Sequence, residues 1–181
     1  MIKNIGIPVL TLFGIGYFKY APGTAASLIT CLLFYILGES HFVLHDNKIY
    51  ILIFVLFVFF YSIIFIDRLS KYFKKVDARE IVVDEFVGQS IPLIAILFRP
   101  KDFLPLIPQD YSTFISDAPW IIWILLSFIL FRFFDIVKPF PVSFFDKNFK
   151  NSFGVIMDDV CAGFYVVLSL ICFMVLRSYF I

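Results

Sequence analysis

Charged residues are scarce in this sequence. Only 16% of its 181 residues are Asp, Glu, Lys or Arg, whereas a soluble globular domain contains roughly 25%. Hydrophobic residues make up 61% of the chain, and 26 residues are phenylalanine. The composition therefore indicates an integral membrane protein rather than a water-soluble domain. The net charge of +1 gives no reason to expect a nucleic-acid partner.

Cysteine and histidine are also few. The three cysteines lie in apolar stretches and form no CxxC pair, and the two histidines, His41 and His45, lie together in a separate segment. These positions argue against both a zinc site and a disulfide framework. The sequence also lacks internal repeats and low-complexity linkers, so residues 1–181 are predicted to form a single domain.

Five hydrophobic stretches are long enough to enter or cross a bilayer, and they predict an all-α, multi-span membrane protein. They are Thr24–Phe42, Ile49–Ile66, Ile81–Phe98, Trp120–Val137 and Val160–Phe180. With five spans, residues 1–23, 67–80 and 138–159 share one side of the membrane. Of the 15 lysines and arginines, few fall on the other side: Lys48, Arg99, Lys101 and Arg177. The positive-inside rule makes the richer side, with the N-terminus, cytoplasmic.

Three unusual polar segments fall on this predicted cytoplasmic side. The first is Gly14–Ser27, in which glycine and proline precede a helix. Backbone N–H groups at the start of a helix attract anions, so Gly23, Thr24 and Ser27 are candidate phosphate-binding residues. The alternative is an ordinary helix start with Thr24 as its N-cap.

The other two segments carry acidic residues at the ends of the predicted spans. These residues are Asp84, Glu85, Asp135, Asp158 and Asp159. Asp158 and Asp159 are expected to open the last span, where acids can simply complement the helix dipole. Carboxylates at the margin of a bilayer are costly, however, and they usually have a function.

Basic residues accompany the acids. Arg132, Asp135 and Lys138 are spaced to lie along one helical face before Pro139 ends the helix, which can be a structural ion pair. Carboxylate oxygens also suit magnesium, and Arg132 and Lys138 supply charge that binds phosphate. The residues therefore predict a metal-dependent enzyme that acts on a phosphate group at the membrane surface. Asp146 lies nearby, outside the clearest motif positions, and is predicted to be dispensable.

These segments resemble the phosphatidylglycerophosphatase A family of bacterial membrane phosphatases. The family pattern reads roughly PGTxGS, IVxDExxG, FRxFDIxKPxP and GxGIMxDDxxAG. This chain has PGTAAS (22–27), IVVDEFVG (81–88), FRFFDIVKPFP (131–141) and FGVIMDDVCAG (153–163), in the same order. Departures such as Ala26 in place of Gly and Phe140 in place of Trp remove no charged motif residue.

The resemblance implies hydrolysis of phosphatidylglycerophosphate to phosphatidylglycerol and phosphate, with magnesium, in the bacterial cytoplasmic membrane. It implies an all-helical fold with the active site at the cytoplasmic face. The metal ligands would be Asp84, Glu85, Asp135, Asp158 and Asp159. The catalytic residues would be the four aspartates of that set and Lys138, and Lys138 and Arg132 would bind the phosphate. The identity of the base, and the choice between attack by water and a phospho-aspartyl intermediate, stay open.

Two other functions remain compatible with the sequence. One is a magnesium-dependent phosphatase that acts on another lipid phosphate or on an isoprenoid phosphate. The other is a small membrane transporter or a structural membrane protein, in which the polar residues should lie near the bilayer midplane rather than at span ends. Membrane lipids are the expected partners in each case, and the sequence does not indicate an oligomeric state.

Overall fold

The computed structural model of the chain is a bundle of helices. It describes residues 2–39, 48–73, 76, 78–98 and 120–180, and all regular elements within these ranges are helical. The α-helices are α1 (Ile2–Leu10), α2 (Pro22–Glu39), α3 (Lys48–Leu69), α4 (Val83–Phe98), α5 (Trp120–Val137), α6 (Val142–Asn148) and α7 (Ser152–Phe180). This confirms the all-α prediction.

Helix boundaries correct two details of the sequence analysis. Helix α7 begins at Ser152, so Asp158 and Asp159 lie in its second turn and do not open it. The helix dipole acts mainly within the first turn, and it therefore does not account for these two acids. Helix α2 begins at Pro22, a favoured first helical residue, so Thr24 is not the N-cap.

Two stretches of the described chain are long and apolar enough to cross a membrane, namely Lys48–Tyr72 and Ser152–Phe173. The apolar helix Pro22–Gly38 is shorter. Helix α4 has 16 residues and measures about 24 Å at 1.5 Å per residue, less than the ~30 Å hydrocarbon core. The arrangement with five spans therefore stays a prediction.

Helix α4 is the centre of the bundle. It packs against α2, α3, α5 and α7, and most of its side chains are buried. Its last eight residues, 91–98, are all apolar, which is typical of a helix that is surrounded by others. Its buried Gln89 donates a hydrogen bond from Nε2 to Ser127 Oγ on α5 at 3.0 Å, so this amide nitrogen has a partner in the core.

Glycine allows α4 and α7 to approach each other closely. A Cβ atom on Gly88 would lie 2.6 Å from the backbone oxygen of Asp159, and one on Gly163 would lie 2.4 Å from the backbone oxygen of Gly88. Gly163 also lies against Ile91, so the two helices run in the same direction. Small residues at a crossing point are a common way to bring membrane helices together.

Contacts between helix ends gather the polar segments at one end of the bundle, here called the polar end. Asp67 of α3 accepts hydrogen bonds from the Ser152 N–H at 2.9 Å and from Ser152 Oγ at 2.7 Å, and so caps α7. The Glu85 carboxylate lies directly against Gly23. The polar end therefore comprises the starts of α2, α4 and α7 with the last residues of α3 and the segment after α5.

Because α4 and α7 approach closely, we predict that the stability of the protein is sensitive to side-chain volume added at Gly163. Gly163→Ala should lower the stability of the protein by about 1–3 kcal/mol, because the added methyl group must displace backbone atoms of α4. Thermal unfolding of the detergent-solubilised protein, followed by circular dichroism, measures this change.

Gly6→Ala is the matched control. Its added Cβ would meet chiefly the Cδ1 methyl group of Leu69, which a rotation of that side chain can move away. A wild-type melting temperature for Gly163→Ala would show that the helices do not depend on this close approach.

Candidate active site

A cavity of about 470 Å³ opens at the polar end of the bundle. Its lining contains all five acids that the sequence predicted: Asp84, Glu85, Asp135, Asp158 and Asp159. It also contains Lys138, Asp146 and Lys150. Residues from α4, α5, α6 and α7 thus meet in one polar space, although up to 75 positions separate them in the sequence.

Three of these acids form a compact group, here called the acidic cluster: Asp84, Glu85 and Asp159. One carboxylate oxygen from each lies within 4.8 Å of the others. Asp84 and Asp159 are buried, and Glu85 Oε2 is buried without a hydrogen-bond partner in the described part of the chain. Negative charges this close in a poorly solvated site repel each other unless a proton or a cation lies among them. The cluster can therefore hold a metal ion.

Helix geometry explains how neighbouring acids on α7 reach different partners. Successive helical residues point about 100° apart around the axis, so Asp159 faces the acidic cluster while Asp158 faces Lys138. The Asp159 N–H donates to Asp158 Oδ1 at 3.0 Å, which helps to orient the Asp158 side chain. In α4 the Glu85 N–H donates to Asp84 Oδ1 at 3.1 Å in the same way.

Lys138 lies just beyond the end of α5 and not on its helical face, contrary to the sequence prediction. Its backbone has φ of 47°, and its N–H donates to the Phe134 oxygen at 2.9 Å. This left-handed conformation is uncommon for a lysine. Its ammonium group donates hydrogen bonds to Asp146 at 2.7 Å and to Asp158 at 2.8 Å.

The charges around Lys138 stabilise its protonated form. Partial burial alone would lower the pKa of Lys138, but the hydrogen bonds to Asp146 and Asp158 outweigh burial and raise the pKa above its ordinary value. The hydrogen bond from Lys138 in turn lowers the pKa of the Asp146 carboxyl. Both groups are therefore ionised at neutral pH.

Arg132 contacts a residue of the cavity but does not line the cavity itself. Its Nη1 lies 2.9 Å from Asp135 Oδ2, which forms the predicted ion pair on α5. Asp135 lines the cavity, but Arg132 is not among the lining residues. Within the described chain the buried Arg132 Nε and Nη1 atoms make no hydrogen bond of good geometry, so the contact with Asp135 is mainly electrostatic.

The predicted anion-binding residues of α2 lie near the acidic cluster but outside the cavity lining. Ser27 is fully buried, and its hydroxyl donates to the Gly23 oxygen at 3.1 Å. A Cβ on Gly23 would clash with the Glu85 carboxylate. Gly23 thus makes room for Glu85, while Thr24 is partly buried and does not line the cavity.

Asp146 is the residue that sequence reasoning missed. It lies on the short helix α6, lines the cavity and pairs with Lys138. Lys150 binds the same helix by donating to the Asp146 backbone oxygen at 2.7 Å. Lys147, Asn148 and Lys150 follow it closely, so the sequence gave no signal that separates Asp146 from an ordinary surface charge. Its place in the cavity does not support the prediction that it is dispensable.

Comparisons with known proteins find relatives that match most of the chain. A curated phosphatidylglycerophosphatase A from Haemophilus influenzae is 37% identical over 156 residues, which cover 86% of this chain and 80% of that protein. A phosphatidylglycerophosphatase A from Escherichia coli is 27% identical, with 83% and 73% covered. A putative phosphatidylinositol-3-phosphatase from Bacteroides thetaiotaomicron is 35% identical, with 88% of each chain covered. No solved structure matches the chain.

The model of one protein family matches residues 9–174 and therefore includes every residue of the acidic cluster, Lys138 and Asp146. Its description is phosphatidylglycerophosphatase A. The match covers nearly the whole chain, and two of the relatives carry the same name. The chain belongs to the phosphatidylglycerophosphatase A family and is a phosphatase, as the resemblance of its motifs predicted.

Proposed function

We propose that the protein hydrolyses phosphatidylglycerophosphate to phosphatidylglycerol and inorganic phosphate, as a step of phospholipid biosynthesis in the bacterial cytoplasmic membrane. One observation carries this proposal: the acids of α4 and α7 meet Lys138 in a single cavity at the polar end. The names of the relatives from H. influenzae and E. coli supply the substrate.

The same site is proposed to use magnesium. Asp84, Glu85 and Asp159 would hold the ion, since carboxylate oxygens are the donors that Mg²⁺ prefers. Among the residues that the structure describes, Glu85 Oε2 has no hydrogen-bond partner although it is buried. When bound, Mg²⁺ would supply positive charge for the phosphate oxygens and lower the pKa of a water molecule.

The charge balance of the cavity supports this requirement for a cation. Six carboxylates line the cavity, against the two ammonium groups of Lys138 and Lys150. A phosphate monoester is itself anionic and would be repelled by this excess of negative charge. Bound cations remove the repulsion. We therefore expect that binding of a cation at the acidic cluster strengthens binding of substrate, and the reverse.

The remaining residues would orient the phosphate and handle the proton. Lys138 has three N–H donors, of which Asp146 and Asp158 receive two, so one is available to a phosphate oxygen. Asp135 and Asp158 line the cavity outside the acidic cluster, and either could accept a proton from an attacking water. Arg132 would contribute its charge from behind Asp135.

Phosphate release by the purified protein tests the proposal. With phosphatidylglycerophosphate and Mg²⁺ we expect steady hydrolysis, which excess chelator abolishes and added Mg²⁺ restores. Hydrolysis that continues in excess chelator would contradict the metal proposal. Absence of hydrolysis with Mg²⁺ present would contradict the proposed substrate.

A second candidate substrate follows from the Bacteroides relative, which is named as a putative phosphatidylinositol-3-phosphatase. The same carboxylates and Lys138 could act on any lipid phosphate monoester of suitable size. A panel of phosphatidylglycerophosphate, phosphatidylinositol-3-phosphate, phosphatidate and an isoprenoid phosphate separates these possibilities. We expect the highest kcat/KM for phosphatidylglycerophosphate.

Replacing the acids one at a time tests their roles. Asp84→Asn, Asp135→Asn, Asp158→Asn and Asp159→Asn should each accumulate normally and lose ~100-fold or more in kcat, because an amide can neither bind the metal nor accept a proton as the carboxylate does. Glu85→Gln should behave in the same way. Glu80→Gln, just before α4 and outside the cavity lining, is the matched control and should retain wild-type activity.

Asp146 should give a different result. Asp146→Asn leaves Lys138 paired only with Asp158, so we expect a rise in KM of roughly tenfold, the size of one charge-assisted hydrogen bond, with a smaller change in kcat. Asp146→Glu should restore much of the affinity. A wild-type KM for Asp146→Asn would show that this ion pair does not orient Lys138.

The membrane arrangement is also part of the proposal. Five spans with a cytoplasmic N-terminus would place the polar end in the cytoplasm and the C-terminus outside. A reporter enzyme that works only outside the cytoplasm should therefore be active when fused after Ile181. Activity of a reporter that works only in the cytoplasm would instead indicate an even number of spans, with α4 entering the bilayer without crossing it.

A further inference from the structure

The segment that joins α5 to α7 carries a connected group of aromatic rings, here called the phenylalanine cluster. Its members are Phe140, Phe144, Phe145, Phe149 and Phe153. Phe144 contacts Phe140, Phe145 and Phe149 at centroid distances of 6.2, 5.7 and 5.9 Å. Phe153 of α7 extends the group by contacts with Phe145 and Phe149. Most of these contacts are edge-to-face, an arrangement that aromatic rings favour.

The cluster is exposed although the segment is firmly held. Phe140 is 75% exposed and Phe144 is 44% exposed. The segment is nevertheless anchored, because Val142 is fully buried in the core beside Phe131 and the Tyr165 hydroxyl donates a hydrogen bond to the Phe140 oxygen. In a membrane-associated chain, a rigid apolar surface that the fold itself does not cover is suited to contact with lipid.

The position of the cluster indicates what it binds. Phe149 belongs both to the cluster and to the lining of the cavity, and the next residue, Lys150, lines the cavity too. Lys147, in the last turn of α6 and two residues before Phe149, is exposed. An aromatic surface, a rim with positive charge and a cavity for phosphate therefore follow one another without interruption. This sequence of surfaces matches an amphiphile with an anionic head group and hydrocarbon chains.

We propose that the phenylalanine cluster binds the acyl chains of the lipid molecule whose phosphate occupies the cavity. Lys147 and Lys150 would face the negatively charged linkage between the head group and the glycerol backbone. This inference rests on the proposed function, and it adds a site for the apolar part of the substrate. The enzyme would then recognise its substrate at both ends, and the cavity would favour lipid phosphates over phosphate esters without chains.

The test compares substrates that differ only in chain length. Phe140→Ser and Phe144→Ser, alone and together, are assayed in the full-length protein with long-chain phosphatidylglycerophosphate and with a short-chain, water-soluble analogue. We expect the double variant to raise KM for the long-chain substrate about tenfold or more, with kcat within about twofold of wild type. The kcat/KM for the soluble analogue should change by less than about twofold. Phe13→Ser is the matched control, since Phe13 is 86% exposed and lies outside the cluster.

Cross-linking gives a readout that does not depend on turnover. A diacyl lipid phosphate with a photoreactive group at the end of one acyl chain should label the peptide around Phe140 and Phe144. Unlabelled lipid phosphate should compete with this labelling, whereas the same lipid without its phosphate should not. If the wild-type protein shows this labelling but hydrolyses no lipid phosphate, the proposed function is wrong and the lipid site stands. Equal losses with both substrates, no loss with either, or labelling that lipid phosphate does not reduce would overturn the inference.

Discussion

Where α4 crosses α7, backbone meets backbone, because neither Gly88 nor Gly163 has a side chain to keep the helices apart. This approach places Asp84 and Asp159, one turn before the crossing on each helix, within reach of each other. Bringing two carboxylates together in a buried position is unfavourable in itself. Apolar packing of α4 against four other helices offsets that cost. The geometry of the acidic cluster is thus a property of the bundle and not of a flexible loop.

Lys138 connects the acidic helices to the segment after α5. The left-handed backbone at this residue turns its side chain back toward α7, where it pairs with Asp158, while Asp146 holds it from the other side. A single cation shared by two acids has a defined position and a spare donor. In the proposed function Lys138 would already be held in place when phosphate binds, which would reduce the entropy lost when substrate is positioned.

Much of this arrangement could be predicted from sequence, because its signals are local. Long apolar runs placed the helices, and acids at their ends indicated Asp84, Glu85, Asp158 and Asp159 as site residues. What the sequence could not provide were relations between distant segments. In the sequence Asp146 resembles an ordinary surface charge. Only the folded structure brings α6, and with it Asp146, to Lys138. Asp67 and Ser152, which form a hydrogen-bonded pair, are 85 residues apart, and no periodic pattern in the sequence indicates this pairing. The predicted start of α7 was wrong by eight residues, because Asp158 and Asp159 resemble the polar boundary of a span although the helix continues before them.

The division of the acidic cluster between α4 and α7 also has a consequence for biogenesis. During synthesis Asp84 and Glu85 leave the ribosome 75 and 74 residues before Asp159, so a partly made chain holds two acids of the cluster without the third. Asp67 likewise has no helix to cap until Ser152 arrives. The last helix thus completes the site and joins it to the earlier helices in the same event. A nascent chain that stalls before α7 has no assembled acidic cluster, so under the proposed function it would have no phosphatase activity until the whole bundle has formed.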